Sequence, residues 1–97
     1  MKNTLLRGKI LRLLFELYPN GIEHTQLVGI YYQYEKVEEI ERSVSYLVDR
    51  KLVARTVSPH PFKANATVTY YKITPEGIDL IDGTDASDSG IVVPVEA

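Results

Sequence analysis

Ninety-seven residues, 44% hydrophobic and 25% charged, make one small soluble globular domain at most. No run approaches the roughly 18–20 apolar residues needed to cross a bilayer. Arg7, Lys9 and Arg12 interrupt any signal-peptide core, and the lack of cysteine excludes a disulfide framework and thiolate chemistry. The formal net charge of −2 leans on Asp85, Asp88 and Glu96 near the end; with those three of thirteen acids set aside, ten face eleven bases. Overall charge therefore neither supports nor excludes nucleic acid. A cytoplasmic protein is expected, in which the sequon Asn65-Ala66-Thr67 stays idle.

Asn3 or Thr4 can cap a first helix running to about Tyr18, where Pro19-Asn20-Gly21 stops it. Leu5, Leu6, Ile10, Leu13, Leu14 and Leu17 share one broad face. Leu11, Phe15 and Tyr18 form a second stripe opposite it, with Gly8 one turn ahead. A helix apolar on two faces is buried on two faces. Either the chain's own last helix covers the second stripe, or a second subunit does. In the latter case Leu11, Phe15 and Tyr18 are the centre of a homodimer interface, with the Ile91–Val95 arm laid across it.

Gly21-Ile22-Glu23 suits a short strand. A second helix begins at His24-Thr25, has Leu27, Ile30 and Tyr31 inside and ends near Gln33. Tyr31-Tyr32-Gln33-Tyr34 then holds three of the seven tyrosines at a turn. These side chains either pack over the turn with wet hydroxyls or reach a partner. Val37, Ile40, Val44, Leu47 and Val48 recur at helical spacing and predict a third helix. The period changes at Leu52, and Leu52–Val57 is β-branched enough to be a strand. In Ser58–Ala66, Pro59 and Pro61 are expected to end the ladder and stiffen a loop. Thr67–Ile73 alternates and forms the return strand of a hairpin. Thr74 then caps a last helix with Pro75 at its first position, anchored by Ile78, Leu80 and Ile81. Residues 1–82 make the domain. Residues 83–97 form an acidic, flexible tail: a linker from Thr84 to Gly90, then the apolar Ile91–Val95 as a frayed end or an arm on a neighbour.

Two segments carry a family resemblance. Leu47-Val48-Asp49-Arg50-Lys51-Leu52-Val53 is similar to the end of the recognition helix in winged helix-turn-helix regulators. Tyr70-Tyr71-Lys72-Ile73-Thr74-Pro75-Glu76-Gly77 resembles the segment that closes the wing in MarR- and PadR-type members. The chain also resembles small ArsR-like winged-helix proteins of Mu-like prophages. The resemblance spans about residues 4–82 and implies an α+β fold: three helices, a two- or three-stranded wing and a C-terminal helix. It further implies a dimeric transcriptional regulator or phage or bacterial accessory factor that binds double-stranded DNA. Lys51 departs from the family, standing where glycine is favoured and φ is expected to be positive.

The residues placed to meet DNA are Gln33 and Tyr34 in the turn, Arg42 and Ser45 on the third helix, and His60 and Lys63 in the wing. They sit among Glu38, Glu39 and Asp49, and Glu38 is spaced to pair with Arg42. Such a face is poor in the side chains that read base edges. The alternative is therefore a winged-helix module that binds protein instead. An enzyme is not expected: His24 and His60 are read as a helix-start residue and a solvent-facing loop residue, without metal-ligand spacing. No phosphate-binding glycine loop, cofactor or small-molecule ligand is indicated.

Overall fold

The computed structural model describes residues 3–83 and 90–94. It is an α+β chain of four helices and a three-stranded antiparallel sheet in the order β1-β3-β2. The elements are α1 (Thr4–Leu17), β1 (Ile22–Glu23), α2 (His24–Tyr31), α3 (Val37–Asp49), β2 (Val53–Pro59), β3 (Thr67–Ile73) and α4 (Pro75–Asp82). One core joins them. Leu6, Ile10, Leu11 and Leu14 of α1 meet Leu27, Ile40, Val44 and Leu47 of α2 and α3. Ile22, Val53, Tyr71 and Ile73 close it from the sheet.

The helix ends follow side-chain chemistry. Asn3 caps α1, its side-chain oxygen accepting from the Leu6 amide at 3.1 Å. α2 opens on a capping box: Glu23 accepts from the Thr25 amide at 2.8 Å, and the Gln26 side chain answers the Glu23 amide. That first contact, with the Thr25 backbone, holds the Glu23 carboxyl below its ordinary value of 4.5. α2 ends at Tyr31, two residues before the expected Gln33, and Ile30 is 46% exposed rather than inside. With only eight residues, α2 gives the core one fully buried side chain, Leu27.

α3 ends as its sequence demands. The Lys51 amide donates to the Val48 carbonyl and the Leu52 amide to the Leu47 carbonyl, a Schellman pair with Lys51 at φ 62°. Lysine thus adopts the left-handed conformation expected at this position. At the other end, Val37 stands 42% exposed, so the buried stripe of α3 starts at Ile40.

Thr67–Ile73 is a strand with the expected bounds, paired to β2 from Val53↔Ile73 through Pro59↔Thr67. The prolines do not end the ladder at Val57. β2 is an edge strand, and the His60 amide still donates to the Ala66 carbonyl at 2.9 Å. Pro59, one residue earlier, therefore falls where a strand N–H would point outward, and its missing donor costs nothing.

Thr74 caps α4 by accepting from the Gly77 amide, and its hydroxyl donates to the Lys51 carbonyl at 2.7 Å. Pro75 takes the first helical position. Gly77 allows the helix to lie against the chain, since a Cβ there would come within 2.3 Å of the Leu52 carbonyl oxygen.

The segment Gly90–Pro94 docks on the chain's own first helix. The Val92 amide donates to the Thr4 carbonyl at 3.0 Å, Arg7 Nη1 donates to the Gly90 carbonyl at 3.2 Å, and Ile91 joins the core. Gly8 makes room, because a Cβ there would sit 1.8 Å from the Val92 oxygen. The linker reading for residues 84–89 and the arm's end at Val95 lie outside the described residues.

This arrangement corrects the proposed dimer surface. Leu11 is fully buried in the chain's own core and Phe15 is half-buried against it, leaving Tyr18, at 50%, as the one open member of the stripe. No two-fold interface can be centred on Leu11. Leu11 is covered from within the chain, where α1 packs on α3, α4 and β3.

Candidate nucleic-acid interface

The residues expected to meet DNA are dispersed over the turn after α2, the outer face of α3 and the β2–β3 hairpin. Gln33 is exposed and Tyr34 is 82% exposed, its amide closing the turn onto the Tyr31 carbonyl. Arg42 stands out from α3 with its side chain 63% exposed. Its nearest carboxylate is Glu39 at 3.9 Å, one turn back by i, i+3, rather than the expected Glu38. At that length and exposure the pair is worth little. Arg42 stays available.

Ser45 is engaged by a residue not selected from sequence. Arg55 of β2 donates from Nη2 to its hydroxyl at 3.1 Å, and the same guanidinium lies 5.7 Å from the Tyr71 ring centroid. Arg55 is thereby held between α3 and the hairpin. It pairs with Tyr71 in the ladder and shares the helix side of the sheet, whereas Lys72, the next residue on β3, faces the opposite side. The period-2 alternation of the expected strand Leu52–Val57 already puts Arg55 on the same side as Val53, a signal that could have shown this.

His60 is not simply a solvent-facing loop residue. Its Nδ1 accepts from the amides of both Phe62 and Lys63, at 3.0 and 3.1 Å. With Nδ1 as acceptor, the ring proton sits on Nε2. Asn65, at φ 61°, turns the chain back, and the His60–Ala66 bond shuts the loop. The tip is thus a fixed turn that presents Lys63 and a 92% exposed Phe62.

His24 is also more than a helix-start residue. Its Nδ1 lies 2.9 Å from the Tyr71 hydroxyl and its Nε2 3.1 Å from Glu41 Oε2. The ring joins α2, α3 and β3, and Glu41 is drawn out of the acidic run on α3. No local signal could reveal this, since the partners are 47 and 17 residues away. Among the described residues, no group of three or more His, Cys, Asp and Glu side chains could hold a metal ion. No helix among them is long and apolar enough to cross a membrane.

Charge is divided along the chain more sharply than its total suggests. Residues 35–49 carry Glu35, Glu38, Glu39, Glu41 and Asp49 against Lys36 and Arg42. Residues 50–75 carry Arg50, Lys51, Arg55, Lys63 and Lys72 with no carboxylate at all. Comparison with family models, curated proteins and solved structures finds no match.

Proposed function

We propose that the chain is a small winged-helix protein that binds double-stranded DNA, as a cytoplasmic regulator or a phage or bacterial accessory factor. The order of helices and strands and the β1-β3-β2 sheet agree with that fold. The observation that carries the reading is the hairpin segment, whose three charged side chains, Arg55, Lys63 and Lys72, are all cations. Phosphate neutralisation supplies most of non-specific DNA affinity, so an acid-free basic hairpin is the best phosphate-facing element of this chain. The contacts fall to Lys63 at the tip, Arg55 between hairpin and α3, and Arg42 on α3. The helix contributes one cation, and the hairpin does most of the binding.

Three phosphate contacts imply a slope of about −2.7 in log affinity against log salt, or roughly fortyfold weaker binding from 50 to 200 mM. Fluorescence anisotropy with a random duplex at about 20 mM salt tests this, because counterion release favours binding most there. Arg55→Ala and Lys63→Ala should each reduce the slope by about one. Glu39→Gln should tighten binding by removing the carboxylate nearest Arg42. Absence of binding at low salt defeats the proposal. The second reading, a protein-binding module, draws on the exposed Glu38, Glu41 and Asp49 of α3, which repel phosphate. A homodimer on either reading has to use a surface other than Leu11.

A further inference from the structure

The face of the sheet turned away from the core is exposed at Ala54, Thr56, Tyr70 and Lys72, and it carries aromatic rings between cations. Tyr71 and Ile73 of β3 point into the core, so Tyr70 and Lys72 point outward, across from Thr56 and Ala54. Tyr70 is 44% exposed. Lys72 Nζ reaches over the Tyr18 ring, 5.6 Å from its centroid. At the other end the hairpin tip overhangs this face, leaving a hollow of about 420 Å³ whose walls include Phe62, Lys63, Val68 and Tyr70. From tip to base the order is Phe62 with Lys63, then Tyr70, then Lys72 with Tyr18.

We propose that this face binds single-stranded nucleic acid, with bases stacking on Phe62 and Tyr70 and phosphates meeting Lys63 and Lys72. Every base has a π-face, so exposed rings interleaved with cations form a stacking platform without sequence preference. The His60 contacts fix the turn that presents Phe62, so little ordering is left to the moment of binding. The Phe62 and His60 rings also form a T-shaped pair, with centroids 6.3 Å apart. Glu23 is the carboxylate on the wall of the hollow, and it already accepts the Thr25 amide. Duplex DNA does not fit this role, since its bases are stacked on one another. The surface shares Lys63 at the tip with the duplex contacts but is separate from Arg42 and Arg55, which lie on the helix side.

The full chain is titrated at about 20 mM salt with fluorescein-labelled oligothymidine, oligouridine and a random duplex. Both single strands should bind. Phe62→Ala and Tyr70→Ala should each weaken them by about five- to hundredfold while leaving duplex affinity alone. Tyr70→Phe should retain binding, because the ring and not the hydroxyl is used. A preference for uridine or thymidine tells RNA from DNA as the source of the strand, and either supports the platform. Failure of both single strands to bind overturns the proposal, whatever the duplex does. So does unchanged affinity in Phe62→Ala and Tyr70→Ala when Lys63→Ala weakens it, which leaves charge without stacking. Equal losses for duplex and single strand overturn the separateness of the two surfaces. Phe62 is almost wholly in solvent, and unchanged circular dichroism of its variant confirms that folding is not what is read.

Discussion

Gly8→Ala separates the two opposite effects a methyl group can have in α1. In an ordinary helix interior the change stabilises by about 1 kcal/mol. Here the new Cβ would lie 1.8 Å from the Val92 oxygen and 2.4 Å from its carbonyl carbon, both backbone atoms that cannot rotate aside. Gly90–Pro94 must lift off. What it gives up is the burial of Ile91 and part of Val93, about 3 kcal/mol together, one backbone hydrogen bond at about 1, and the Arg7–Gly90 bond at about 2. What it regains is the backbone freedom of five residues, roughly 5 kcal/mol even at the low end of about 1 per residue, so net docking is about 1 kcal/mol at most. The test compares Gly8→Ala in the full chain and in one ending at Gly83, by thermal melting followed with circular dichroism. In the shortened chain the variant should be more stable by about 1 kcal/mol, some 4–8 °C. In the full chain that gain should shrink or vanish, with the Val92 amide losing its protection from hydrogen exchange. An equal gain in both chains, with Val92 still protected, would refute the reasoning.

Lys51→Gly should raise stability by up to about 1 kcal/mol in denaturant melts, because glycine adopts φ 62° without a Cβ clash. Leu11→Ala should cost about 2–5 kcal/mol in the same melts and leave the sedimentation coefficient unchanged, as befits a core residue rather than an interface. Glu23, with its carboxyl held below 4.5, contributes stability that is present above that value and lost as pH falls through the lowered one. Melting temperature against pH should therefore lose a component on the acid side of 4.5 in Glu23→Gln, whose neutral amide oxygen can still accept from the Thr25 N–H.

What could be read in the chain was local. Thr74 with Pro75 specifies a helix start from four consecutive residues, and the alternation in Thr67–Ile73 specifies a strand from seven; both stand where they were expected. Even the odd choice of lysine at position 51 yields its left-handed turn, since the two carbonyl bonds that require it are made within five residues. The long-range contacts were hidden. His24 finds Tyr71 and Glu41 only after three elements are assembled, and Arg55 reaches Ser45 only once β2 lies beside α3. The second stripe of α1 shows the limit most clearly. Periodicity showed that Leu11 is buried without showing by what, and the same pattern serves a fold's interior and a subunit contact equally well. For the candidate DNA contacts the elements were legible, while the partners, Glu39 for Arg42 and two amides for His60, arise only in the folded chain.

The docked arm also bears on the order in which the molecule assembles. Arg7 and Gly90 are 83 positions apart, and Thr4 meets Val92 across a similar span. Closing so long a loop is entropically the most expensive local event in the chain, and it gains only a few contacts. Helices, the β2–β3 hairpin and the α1–α3 packing rest on shorter loops and should already be present in the folding transition state. The arm then attaches to a finished body. Changes at Ile91 should therefore leave the folding rate almost untouched and appear in the unfolding rate, the signature of a contact made after the barrier.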